Sequence, residues 1–298
     1  MPIWLGTIAV LAALFIVDGL IGQLFMTRNR EFRVVSVAGN IRAQRRWIVL
    51  KGFSNPLEPF IEGMEAVTDG PMLVVHYGLC PEAYLLFDAI LEGLRTLDGP
   101  REIAIYGHSR GGHIGRAFLK WYEASGSPHG PINELFLDCT PGNPDSLPAP
   151  TWVRAAMRGF LKVYKGGPIL ALIVALGNLY SRRKMPAPLD NTANKALYKR
   201  YARGLMWYNN RSWVLEMLSM LNERLPNSPQ LTNARVIYIA AKDPSRDKLV
   251  KQTVAIEQWP IVFPGMTIRA EENVGHAWPL EQPATYRRIF DEELMSDR

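Results

Sequence analysis

Ser109 lies in YGHSRGG, with Gly107 two residues before it and Gly111 two residues after, directly behind the apolar run Ile103 to Tyr106. Gly-x-Ser-x-Gly between a strand and a helix holds a serine on a turn too sharp for side chains on its neighbours, and that arrangement exposes a nucleophile. A serine hydroxyl is a poor nucleophile near neutral pH, so it needs a base within hydrogen-bond reach and an acid that fixes the tautomer of that base. His276 in NVGHAWP is the leading base, in a loop behind the last expected strand. The acid is expected between serine and histidine in chain order, at the end of a strand, and Asp243 in VIYIAAKDPSRD meets that condition.

Asp138 is the alternative acid, because it ends the expected strand Leu135 to Leu137 beside that of the serine; it also reads as a loop-capping carboxylate. Asp247 reads as a charge on a helix surface. His108 and His113 read as supports of the turn, and His76 and His129 as structural imidazoles. Cys80 and Cys139 are far apart and outside any CxxC spacing, and no histidine pair has HExxH spacing. Neither a disulfide framework nor a metal or other cofactor site is expected.

The elements that must position these residues follow from periodicity. Short apolar runs at Val34 to Ala38, Trp47 to Leu50, Met72 to Val75, Glu102 to Tyr106, Glu134 to Leu137, Val236 to Ala240 and Thr267 to Ala270 read as strands. Segments of helical period lie between them, at Leu57 to Val67, Glu82 to Leu97, His113 to Ser125, Arg246 to Gln258 and Pro283 to Leu294. Such alternation predicts an α/β fold with a mostly parallel central sheet flanked by helices.

GHSRGG, then a strand running into AAKDPS, then GHAW, in that order, resembles the α/β-hydrolase fold family over roughly residues 32 to 298. The resemblance implies Ser109 as nucleophile, Asp243 as orienting acid and His276 as general base, with Gly107 and Gly111 forming the nucleophile elbow. It also implies an oxyanion hole from the backbone N–H groups of Phe53, in VLKGFSNP, and Arg110. Lys51 departs from the family pattern, which has a histidine at that place. The expected domains are an anchor over 1–28, a first core segment over 29–144, a helical cap over 145–230 and a second core segment over 231–298.

Residues 3–26 form an apolar stretch whose only charge is Asp18, long enough at about 1.5 Å per residue to cross a hydrocarbon core of roughly 30 Å. A retained N-terminal transmembrane helix is expected, with a cleaved signal peptide as the alternative; the latter would make the protein secreted. Arg28, Arg30, Arg33, Arg42, Arg45 and Arg46 all follow the stretch, which places the catalytic domain on the cytoplasmic side of a single pass.

Charge is unevenly spread. Residues 151–230 hold thirteen lysines and arginines against three acids, leaving the rest of the chain net negative. With Trp152, Trp207, Trp213 and the run Ile169 to Leu176 in the same block, the pattern favours a membrane surface as partner; nucleic-acid motifs are lacking. An apolar cap points to a small hydrophobic ester or thioester as substrate. The expected function is a membrane-tethered, lipase-like serine esterase acting through an acyl-enzyme. The alternatives are a non-catalytic scaffold binding anionic lipid or a partner, or an acyltransferase or haloperoxidase using the same triad.

Overall fold

A computed structural model describes residues 3–25, 33–52, 57–76, 83–164, 167, 169, 210–247, 249–272, 276 and 282–295. Among these, seven strands form one sheet: β1 (Arg33–Val37), β2 (Arg46–Leu50), β3 (Met72–His76), β4 (Ile103–His108), β5 (Ile132–Asp138), β6 (Arg235–Ala241) and β7 (Thr267–Glu271). Their order is β1-β3-β2-β4-β5-β6-β7, with β1 antiparallel to β3 and every other pair parallel.

The central strands are apolar along their length because both faces are covered. Ile48, Leu50, Leu73, Ile105, Leu135 and Tyr238 point to one face, under the helices α3 (Ala83–Thr96) and α4 (Arg110–Ala124) and the later helix at Gln252–Val262. Trp47, Val49, Val74, Tyr106, Phe136 and Ile237 point to the other, under α2 (Leu57–Glu65) and the C-terminal helix at Pro283–Met295. The period of two along each strand sorts these residues, so the two cores interleave in sequence without mixing in space.

Arg45 and Arg46, which counted toward the basic flank of the N-terminal stretch, belong to this core. Arg45 forms a bidentate pair with the buried Glu134 at 2.8 and 2.9 Å, and Arg46 donates to the carbonyls of Leu94, Leu97 and His129.

The N-terminal residues form α1 (Ile3–Phe25). Its side chains are described without a break from Val10 to Ile21, and among the described residues no helix is long and apolar enough to cross a membrane. The expected transmembrane span is therefore not supported. Instead α1 docks on α5 (Thr151–Val163), the first helix of the expected cap: Phe15 packs edge-on to Phe160 and Tyr164, and Asp18 accepts from the Tyr164 hydroxyl and the Ile169 N–H. That docking places the one charge of α1 against protein. Also within the expected cap, α6 (Asn210–Asn222) packs on α5 through Leu161, Tyr164, Val214 and Leu221.

Candidate active site

β4 ends at His108 and α4 begins at Arg110, leaving Ser109 alone on the turn with φ 51° and ψ −123°. A non-glycine residue in that region is strained, and its neighbours must tolerate the backbone contact that holds it there. A Cβ on Gly107 would lie 2.6 Å from the Gly112 Cα, and one on Gly111 would lie 2.2 Å from the Leu50 carbonyl oxygen. The glycines are thus required by contact between the turn, the start of α4 and the end of β2. The Ser109 N–H donates to the Asp138 carbonyl at 2.7 Å, which pins the turn to the neighbouring strand.

His276 Nδ1 lies 3.1 Å from Asp247 Oδ2, not from Asp243. The structure thus places Asp247, and not the expected acid Asp243, against His276. Asp243 is exposed and accepts from the Ser245 N–H, capping the short 3-10 turn Pro244–Arg246. Pro244 fixes the start of that turn, and the chain turns inward only at Asp247. Asp247 is buried, contrary to its reading as a surface charge, and the helix expected from Arg246 begins six residues later as α7 (Gln252–Val262).

The Asp247 carboxylate is fully engaged. Oδ1 accepts from the N–H groups of Leu249 and Val250 at 2.9 Å, and Oδ2 accepts from Gln252 Nε2 at 2.7 Å as well as from His276. Burial alone would push this carboxyl up, but His276 and the hydrogen bonds from His276, Gln252 and Leu249 outweigh it and hold the pKa below the usual carboxylate range. An ionised Asp247 accepts, so His276 Nδ1 carries the proton and Nε2 is left as the acceptor.

Gln252 is the residue that sequence reasoning missed. Its amide donates to Asp247 and to Cys139 Sγ, while its carbonyl oxygen accepts from the Ala241 N–H at 2.6 Å. Inside the expected helix Arg246 to Gln258 it reads as one more polar residue, and it is the first residue of the helix only in the structure.

Asp138, the alternative acid, faces a different histidine. It accepts from the hydroxyls of Tyr106 and Tyr286 and lies 3.1 Å from His108 Nδ1, all fully buried. Burial lowers the His108 pKa despite that carboxylate, so His108 stays neutral. Its ring lies against that of His276, centroid to centroid 5.1 Å. His113 is buried with Nδ1 3.6 Å from Glu223 Oε1, and His129 serves through its backbone.

Lys51, at the end of β2, is fully buried. Its ammonium lies 3.9 Å from Glu216 of α6, and an Arg110 guanidinium nitrogen lies 3.7 Å from the same carboxylate. Burial, with Glu216 opposing it and Arg110 adding to it, lowers the Lys51 pKa to about 8. That charge in turn helps burial hold His76 down to about 3. Arg110 opens α4, where its backbone N–H is the first of the helix; Phe53, the other expected oxyanion donor, lies outside the described residues, as do Cys80 and residues 170–209 of the expected cap.

Cys139, Asp247 and His276 form the one group of three potential metal ligands among the described residues, their ligating atoms within 4.8 Å of one another. The set is poorly suited to an ion: Asp247 already accepts four hydrogen bonds, and burial beside Asp138 and Asp247 pushes the Cys139 thiol well above its ordinary pKa.

A family model described as the Alpha/beta hydrolase family matches residues 76–289. No curated protein matches the chain. Among solved structures, the esterase EaEST from Exiguobacterium antarcticum superposes with a TM-score of 0.63 at 13% identity, covering 89% of this chain and 95% of its own. MenH from S. aureus gives 0.60 at 13%, covering 89% and 98%. The carboxylesterase CesB from Bacillus subtilis gives 0.52 at 15%, covering 92% and 96%. At these identities the likeness is one of fold.

Proposed function

The chain belongs to the alpha/beta hydrolase family, and from that premise we propose that it is a serine hydrolase cleaving an ester or thioester with a hydrophobic acyl part, held at a membrane surface through α1. The observation that carries this reading is the hydrogen-bonded Asp247–His276 pair, whose imidazole lies against the ring of His108, the chain neighbour of Ser109 on its strained turn.

Ser109 Oγ attacks the substrate carbonyl as His276 Nε2 takes its proton. Asp247 holds the imidazole in that tautomer and stabilises the imidazolium. The oxyanion forms against the Arg110 N–H at the start of α4, where the helix dipole adds to the donor, with the Phe53 N–H as the second donor that the family resemblance implies. His276 then returns the proton to the leaving group, and water attacks the acyl-enzyme with His276 again as base. Esterase and carboxylesterase neighbours support an acyl substrate.

The full chain is expected to label with a fluorophosphonate at Ser109 and to hydrolyse p-nitrophenyl esters of short fatty acids. Folded protein that fails to label overturns the reading. In that case the buried Lys51–Glu216–Arg110 cluster, which ties the cap to the oxyanion loop, favours a non-catalytic scaffold instead. If Ser109 labels, but the unlabelled enzyme given a p-nitrophenyl ester passes the acyl group to an added alcohol in preference to water, the protein is an acyltransferase.

A further inference from the structure

α5 is inverted relative to an ordinary surface helix. Its inward positions include the buried Arg154 and Leu161, whereas Trp152, Ala156, Phe160 and Val163, at spacings of four, four and three, line its exposed face. Trp152 is 74% exposed and Val163 83%. A helix with water on its outer side carries polar residues there, so water is not the natural medium of this face.

The stripe continues onto α1. Phe15 meets Phe160 edge to face at 5.9 Å, and beside that contact Ile16 is 65% exposed. Asp18, the only charged residue of α1, is 3% exposed and bonded to Tyr164 and the Ile169 N–H, so the outer face of the helix carries no charge. Val10, Leu11, Leu14 and Val17 extend the apolar surface along α1. Between the helices runs a groove of about 540 Å³, walled by Phe15, Ile16, Leu20, Phe160, Val163 and Tyr164 with Gly19 and Gly159 on its floor.

The α5 side of the patch lies in the most basic part of the chain, where residues 151–230 hold thirteen lysines and arginines against three acids. On α5 itself Lys162 is exposed, whereas Arg154 turns inward to Asp145 and Arg158 to the Leu221 carbonyl. An exposed apolar face of this extent, uncharged along α1 and set in a basic segment of the chain, matches the interfacial zone of a bilayer containing anionic lipid.

We propose that α1 and α5 together seat in the surface of an anionic bilayer, with a lipid acyl chain lying in the groove between them. The inference rests on the reading of α1 as the membrane contact and extends that contact to the cap; it does not depend on the chemistry of Ser109. The cap then meets the membrane directly, and a substrate with a long acyl part is drawn from lipid and not from water.

The test uses the full chain with Cys80→Ser and Val163→Cys, labelled at residue 163 with an environment-sensitive fluorophore; Cys139 is buried and its thiol is held protonated. On vesicles of phosphatidylcholine and phosphatidylglycerol, emission should shift to the blue and be quenched by lipids carrying a nitroxide on the acyl chain. The same label at Asp291→Cys, exposed on the far helix α8 (Pro283–Met295), should show neither effect. Val163→Glu with Phe160→Glu should lower the vesicle-bound fraction several-fold and leave turnover of a soluble short ester unchanged. A label at 163 that stays water-exposed while the protein sediments with vesicles overturns the proposal for α5. Failure to bind vesicles, or a stable dimer that buries residue 163 without lipid, overturns it altogether. Fluorophosphonate labelling of Ser109 in the same samples reports on the hydrolase reading independently.

Discussion

Two histidine–aspartate pairs lie side by side in this protein, and by distance they are the same. His108 Nδ1 is 3.1 Å from Asp138, and His276 Nδ1 is 3.1 Å from Asp247. Their surroundings differ. Asp138 is shared with two tyrosine hydroxyls on the floor between β4 and α8, and His108 is 2% exposed. Asp247 is held by two backbone N–H groups and the Gln252 amide in the loop after β6, and the side chain of His276 is 11% exposed. A histidine–aspartate hydrogen bond fixes a tautomer in either place. Only where the other ring nitrogen keeps access to a reacting group does it make a base.

The comparison breaks first on turnover. His276→Ala is expected to lower kcat roughly 10⁶-fold, the order seen when one member of a catalytic unit is removed. His108→Ala should leave kcat within roughly a hundredfold, because its loss loosens the packing around His276 without removing the proton acceptor. Steady-state kinetics on a p-nitrophenyl ester measures both, and equal losses would mean that the pairs are functionally equivalent.

Stability reverses the order. Tyr286→Phe removes a hydroxyl from the buried Asp138 carboxylate and should cost about 1–3 kcal/mol in urea unfolding, with kcat falling by less than tenfold. His276→Ala is expected to change stability by less, since its ring is partly open and Asp247 keeps three other donors.

The last effect concerns Lys51, the buried cation directly after β2. Lys51 has a folded pKa of about 8 against an unfolded value of about 10.4, so between these pH values the unfolded chain binds more protons at this site. Its contribution to stability therefore rises with pH from about 8 to about 10.4. Lys51→Met should flatten that rise, seen as a smaller Tm difference between wild type and variant at pH 9.5 than at pH 7 if the neutral amine packs as well as the methionine. A wild-type slope retained in the variant would assign the titration elsewhere.

The sheet was legible in the sequence because its central strands are buried on both faces and read as short apolar runs, and Ser109 was legible because its glycines are forced by backbone contact. His276 was legible from its place after the last strand. The carboxylate that pairs with His276 was not, because KDPSRD places two aspartates four residues apart on one loop, and chain order does not say which turns inward. Asp-Pro-Ser is itself a capping pattern, with the Asp243 side chain accepting from the Ser245 N–H, and that signal pointed away from Asp243. The docking of α1 was illegible for another reason: an almost uniformly apolar helix carries no periodicity to mark one face, and its single charged residue, Asp18, finds its partners at Tyr164, just past α5, and at Ile169, 146 and 151 residues away.

The most direct test of the site is the rate of fluorophosphonate labelling at Ser109 in three proteins: wild type, Asp243→Asn and Asp247→Asn. With Asp247 orienting His276, wild type and Asp243→Asn label at the same rate, and Asp247→Asn labels roughly 10⁴-fold more slowly, the order expected when the base is left in the wrong tautomer. Slow labelling of Asp243→Asn with normal labelling of Asp247→Asn would contradict the account.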